Sequence, residues 1–271
     1  MQGRANELRI SRKVVGCIPT MGAFHEGHLS LIRRARVECD AIVVTLFVNP
    51  TQFTPGEDYK SYPRDLDRDQ TLAAKSGADI IFIPDADAMY PPGDSSIVRV
   101  DHLTNGLCGP YRKSHFLGVT TVCAKLFNII WPHKAYFGEK DYQQLKVVQK
   151  MTRDLHLPLD IIGCPTIRDH DGLALSSRND YLSQQERQAA TALYRGLCAG
   201  RTQYDKGHHD AELIRNSARL VLDAEPLIKT QYIEIIDAES LEPLASVVRQ
   251  ARIAVATIIG SARLIDNIAL E

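Results

Sequence analysis

The sequence carries no surplus of charge: 32 lysines and arginines stand against 33 aspartates and glutamates, a formal net charge of −1. A chain that grips DNA or RNA needs a basic face, so a dedicated nucleic-acid binder is disfavoured, although a local cluster can still hold a small anion. There is no C-x-x-C and no zinc spacing among the six cysteines at 17, 39, 108, 123, 164 and 198. They read as small buried hydrophobes in a reducing compartment. Long apolar runs are also missing. The longest, such as Ile253 to Ile259, fall far short of a bilayer, and Met1 to Glu7 lack the apolar stretch of a signal peptide. The expectation is a soluble cytoplasmic protein that does not enter a membrane. Neither G-x-G-x-x-G nor G-x-x-x-x-G-K-[ST] occurs, so phosphate has to be held by some other device. No internal repeat or low-complexity tract appears.

What is present is an ordinary globular composition, 44% hydrophobic and 24% charged over 271 residues, enough for about two domains. The first part alternates short β-rich runs with amphipathic stretches. Val14 to Ile18, Ala41 to Val48, Ile80 to Ile83, Ala135 to Phe137 and Leu159 to Ile162 read as strands. Leu29 to Val37, Leu66 to Ser76, Thr120 to Ile130 and Tyr142 to Leu155 read as helices, the second of them stopped by Gly77. Such alternation predicts right-handed crossovers and an α/β doubly wound parallel sheet. After Pro165 the pattern changes to helices at Ser183 to Ala199 and Asp210 to Leu222, then strands at Tyr232 to Ile236, Ile253 to Ile259 and Arg263 to Ile268. That order predicts a second, smaller α+β domain. The expected division is 1–165 and 166–271.

The strongest chemical signal is Pro19-Thr20-Met21-Gly22-Ala23-Phe24-His25-Glu26-Gly27-His28, between the first strand and the first helix of the alternation. Ligands of open parallel sheets sit beyond the carboxyl ends of the strands. His25 and His28 are three apart, so both rings can face one way at a helix start, and Gly27 would let a flat ligand approach the backbone. Two imidazole donors beside a helix N-terminus suit a polyphosphate. The same pair would also serve as a structural couple or as half of a zinc site, which would need a third ligand.

Gly138-Glu139-Lys140-Asp141 again follows a strand and opens a helix: Lys140 offers a point charge, and Asp141 either caps the helix or holds Mg²⁺. Ser176-Ser177-Arg178-Asn179 puts two hydroxyls and a guanidinium in a row, an anion clamp or an ordinary polar loop. Gln52 and Gln144 carry neutral amides able to grip hydroxyl and carboxylate groups, or to sit unremarked on the surface.

Taken in order, Pro-Thr-Met-Gly-x-x-His-x-Gly-His, Phe47-Val48-Asn49-Pro50-x-Gln52-Phe53, Tyr62-Pro63-Arg64, His115-Phe116-x-Gly118-Val119, Lys125-Leu126-Phe127-Asn128, Gly138-Glu139-Lys140-Asp141-Tyr142-Gln143-Gln144 and Gly172 to Asn179 closely resemble the pantothenate synthetase (pantoate–β-alanine ligase) family. The ending Ala262 to Asn267 is similar to it as well. H-x-G-H alone would point only to the wider nucleotidyltransferase superfamily. The resemblance implies a Rossmann-like ATP-binding domain with a C-terminal lid, in a homodimer. It implies ATP contacts from Thr20 and Met21 through His28, from Gly138 to Asp141, from Leu175 to Arg178, and from Ile167 near the adenine. It places pantoate on Gln52 and Gln144 and β-alanine beside Gln52, and sets Arg112 and His115 near the phosphates and a flexible flap. His28 matches the proton donor; His25, Lys140 and Arg178 would stabilise phosphate charge beside Mg²⁺. Two departures stand out. Lys113-Ser114 replace the Pro-Gly common in the family's flap, and the helix preceding the first strand is reduced to a few residues before Val14.

The implied reaction joins pantoate to β-alanine through pantoyl adenylate, with release of pyrophosphate and then AMP. Two other readings compete. One is an H-x-G-H enzyme that leaves a nucleotide on its product, against which the glutamines and the Ser-Ser-Arg run argue. The other is a silent nucleotide-binding or RNA-binding domain, which the balanced charge disfavours.

Overall fold

In the computed structural model, which describes residues 1–270, the chain opens on α1 (Gln2–Ile10). This is a nine-residue helix where the sequence suggested only a few residues before the first strand. Its one buried residue is Ala5, so no apolar stripe announces it. Arg9 stacks 3.9 Å from the centre of the Trp131 ring.

Five strands, β1 (Val15–Thr20), β2 (Ala41–Leu46), β3 (Ile80–Phe82), β4 (Lys134–Gly138) and β5 (Asp160–Cys164), form a parallel sheet in the order β3-β2-β1-β4-β5. Every residue of β2 is buried, Thr45 included, as a predominantly apolar strand covered on both faces requires. The crossovers carry α2 (Glu26–Glu38), α3 (Leu66–Ser76), the single turn α4 (Ala86–Met89), α5 (His115–Ile130) and α6 (Tyr142–Asp154). Gly77 ends α3 in a left-handed conformation, φ 105°, as the sequence indicated. Helix α5 starts at His115 instead of Thr120, because buried Phe116 and Val119 extend the stripe of Val122 and Leu126 past Gly118. The strand order reverses between β1 and β4. Open parallel sheets bind ligands at that switch point, where Met21–His25 follow β1 and Glu139 follows β4.

Contacts divide the chain into two units. One comprises Met1–Asn105, Gly109–Glu139 and Gln144–Pro165; the other comprises Gly106–Cys108, Lys140–Gln143 and the chain from Thr166. The second therefore takes in two short stretches that precede the boundary read from sequence. It holds α7 (Gln184–Ala190), α8 (Ala192–Asp205), α9 (Ala211–Asp223) and an antiparallel sheet of β6 (Ile228–Asp237), β7 (Ala251–Ile259) and β8 (Ala262–Leu270). Leu193, Leu197, Ile214, Leu222, Ile235 and Ile253 form its core. Each such side chain contributes about 1.5–3 kcal/mol on burial. The single helix expected from Ser183 to Ala199 is two. Ser183 caps α7 in a reciprocal box with Glu186, and the Thr191 hydroxyl takes the Gln188 carbonyl at 2.8 Å, interrupting the ladder before α8 begins. Among the described residues, no helix is long and apolar enough to cross a membrane.

Candidate active site

The turn after β1 is built from inside. Gly22 (φ 85°) and Ala23 (φ 53°) are both left-handed, and the second is costly for a residue with a Cβ. Asp69 of α3, 2% exposed, compensates by accepting from the Ala23 and Phe24 amides at 2.7 and 2.8 Å. A Cβ on Gly22 would meet that carboxylate at 2.8 Å, so conformation and space both exclude a side chain. Thr20 spends its hydroxyl on the Thr45 carbonyl (2.5 Å), and Phe24 packs into the core. Sequence reasoning missed Asp69. Its signal was a carboxylate one helical turn before fully buried Ala73, on the stripe that should be apolar.

His25 is the N-cap of α2: its Nδ1 accepts from the Gly27 amide at 3.1 Å. That bond leaves the ring hydrogen on Nε2, a donor. His28 lies one turn on, its ring 4.2 Å from that of His25 and 5.4 Å from Phe24, centre to centre. A Cβ on Gly27 would sit 2.8 Å from His25 Cε1, so the glycine makes room for the imidazole folded back over it. Glu26 pairs with Arg33 at the surface (2.6 Å), leaving its backbone on the turn.

Gln52 is buried, 8% exposed, in a short 3₁₀ turn. Its amide donates to Met21 Sδ (3.0 Å) and accepts from Asn49 Nδ2 (3.2 Å). Asn49, which the sequence offered only as part of a motif, is the hub here. It also donates to the Gly118 carbonyl and accepts from Tyr90 and Thr51. His115 and Arg112 hold the same loop. His115 Nδ1–H donates to the Gln52 carbonyl (2.9 Å), and Arg112 grips Glu57 at 2.6 and 2.8 Å.

Burial pushes the Glu57 carboxyl up, but the Arg112 hydrogen bonds and charge outweigh it and hold it at about 2. A free glutamate titrates near ~4.3, so this pair stabilises fully above that value and loses its contribution as pH falls through about 2. Urea titrations of the native protein and Glu57→Gln are expected to show a stability gap constant from neutral pH to about 4.5 and closing below it. A gap that ignores pH would contradict the assignment.

In the second unit, Ile167 and Leu175 are cross-strand neighbours: the Leu175 amide donates to the Ile167 carbonyl (3.0 Å) in a hairpin closed by the Arg168–Ala174 bridge. Arg187 of α7 clamps the tip through Asp169 and Asp171, each at 2.7 Å. The hairpin delivers Ser176 to Arg178. Ser176 Oγ accepts from the Arg178 amide (3.3 Å), which leaves its own hydrogen to donate. Lys140, with its side chain 17% exposed, lies 3.8 Å from the Asp141 carboxylate. Of the paired glutamines on α6, Gln143 is structural, bridging the Cys108 amide and the Gly106 carbonyl at 2.9 Å each, whereas Gln144 is half-buried.

The family model described as pantoate–β-alanine ligase matches residues 1–269. The chain belongs to that family. It is 50% identical to the pantothenate synthetase of Thermotoga petrophila over 267 residues, 98% of this chain and 95% of the relative. It is likewise 50% identical to the Heliobacterium modesticaldum protein over 259 residues, 96% and 92% of the two chains. The solved pantothenate synthetase of Thermus thermophilus superposes with a TM-score of 0.93 at 47% identity, covering 97% of this chain and 96% of that one. A pantoate–β-alanine ligase from Francisella tularensis, complexed with beta-gamma ATP and beta-alanine, superposes at 0.80 with 35% identity, covering 98% and 94%.

Within this ligase family frame, Asp141 is the candidate for metal. Among the described residues, no three His, Cys, Asp or Glu side chains gather as a metal site. A lone, half-exposed carboxylate fits Mg²⁺ of the kind held by one protein oxygen with substrate phosphates supplying others.

Proposed function

We propose that the chain makes pantothenate from (R)-pantoate, β-alanine and ATP, using the residues described above. The observation that carries this is the locked turn after β1, which presents the His25–His28 pair, with ring centres 4.2 Å apart, at the helix start beside the switch point. A carboxylate resists an amine, so it is first given a leaving group. A pantoate carboxylate oxygen attacks the α-phosphorus of ATP, and pyrophosphate departs from the far side. The β-alanine amine then adds to the acyl carbon, the C–O bond to AMP breaks, and the nitrogen releases a proton. The charge that grows on the phosphate oxygens in the first step falls to the His25 Nε2–H, His28, the Lys140 ammonium and Arg178, with Ser176 and Ser177 as hydroxyl donors. Gln52, already fixed by Asn49 and Met21, orients pantoate with Gln144 and lies beside β-alanine. Mg²⁺ at Asp141 would neutralise phosphate charge when bound. Gly138, Glu139, Ile167 and Leu175 are the further residues assigned to the nucleotide, and the anhydride has to be kept from water until the amine attacks.

The assembly proposed is a homodimer in the cytoplasm, a compartment supported by six unpaired cysteines, five of them buried. The test is ATP–pyrophosphate exchange with and without pantoate, followed by β-alanine addition. Exchange is expected only with pantoate, and pantothenate only after β-alanine. Exchange without pantoate would favour a nucleotidyltransferase and sink the proposal.

A further inference from the structure

Strand β8 carries two residues that its pattern does not call for. Ala262, Leu264 and Leu270 are buried in the core and Ile268 packs against it, so even positions face inward. Asp266 falls in that row, 3% exposed, and Asn267 beside it is 4% exposed. Both residue types are depleted in strands, and a buried carboxylate is costly unless paired. Asp266 is paired: Arg168 donates to both its oxygens, at 2.6 and 2.9 Å. Arg168 also donates to the Gly172 carbonyl (3.1 Å) and lies 4.1 Å from the Tyr194 ring centre. It thus braces the turn end of the hairpin whose second strand leads into Ser176 to Arg178.

Successive strand residues face opposite sides, so Asn267 works on the other face. Its Oδ1 accepts from Arg252 Nε (2.7 Å) and its Nδ2 donates to the Lys140 carbonyl (3.0 Å). Arg252 stacks 4.1 Å over Tyr142, two residues past Lys140. All these groups belong to the second unit.

We infer that Asp266 and Asn267 are a positioning pair: one strand, through its two faces, sets the spacing between Lys140 and the Ser176–Arg178 loop for the phosphates of one nucleotide. The inference rests on the adenylation proposed above. Lys140 reaches its target on a flexible stem, so the bond from Asn267 to its carbonyl fixes the point from which the ammonium extends. A misplacement of about 1 Å costs on the order of a hundredfold in rate.

The test is a double-mutant cycle. Asn267→Asp keeps the volume and the acceptor for Arg252 but removes the donor to Lys140. It is expected to lower the maximal rate of pantoate-dependent exchange about tenfold or more, to leave the pantoate KM within about twofold, and to add less than about twofold in a Lys140→Ala background. Asp266→Asn against Arg178→Ala asks the same of the other face and stands if Asn267→Asp fails to fold. Losses of equal size in both backgrounds, as a general effect on the fold would give, overturn the inference. So does wild-type exchange by Asn267→Asp where Lys140→Ala is impaired. Normal exchange by Lys140→Ala would instead overturn the role given to Lys140, and this inference with it.

Discussion

Replacing His28 with alanine is expected to lower pantoate-dependent pyrophosphate exchange about a hundredfold, the usual cost of removing one donor from a developing phosphate charge, or about 3 kcal/mol in barrier. The fold should survive. His28 is half-buried in the first turn of α2, and its ring packs on His25 and Phe24 at the margin of the core. Thermal unfolding and exchange measured together check this, with His25→Ala as the informative partner. His25 supplies the cap of α2 as well as a donor, so its loss should cost about 1 kcal/mol of stability in addition to rate. Near-normal exchange by His28→Ala would discard the role assigned to it.

Asp69→Ala is expected to damage both properties. Two backbone amides would lose their acceptor inside the protein, at about 1–3 kcal/mol each. Ala23 would keep an unfavourable left-handed conformation with nothing to hold it. For a chain of this size such a loss lowers the unfolding midpoint by about 10 °C. Exchange should fall at least as far as in His28→Ala, because the turn that aims both imidazoles relaxes. An unchanged midpoint would mean that the carboxylate does not hold the turn. The contrast separates a group that acts on the nucleotide from one that shapes the site.

Local chemistry was legible in the chain. The apolar run of β2, the Gly77 stop and the Ser183 cap each depend on residues close in sequence, and the structure has them where the pattern puts them. Thr191 and Gly118 mark where reading by periodicity fails. In one case a side chain competes for a carbonyl; in the other, distant packing carries a helix through a residue that disfavours it. For the candidate site, the ordered motifs pointed to the family that the full-length comparisons established. They gave no sign that Gly27 accommodates His25 or that Asn49 fixes Gln52.

What the sequence determined by itself was the vocabulary: where the strands and most of the helices fall, though not α1 or the break between α7 and α8, and which donors a phosphate-handling site has available, because propensity, capping and charge are properties of neighbouring residues. Only the tertiary structure decided that β1 lies beside β4, that Asp69 closes the turn across 46 residues, and that Asp266 and Asn267 reach back 98 and 127 residues to Arg168 and Lys140. Those pairings depend on how strands order and faces stack, and no spacing along the chain encodes them.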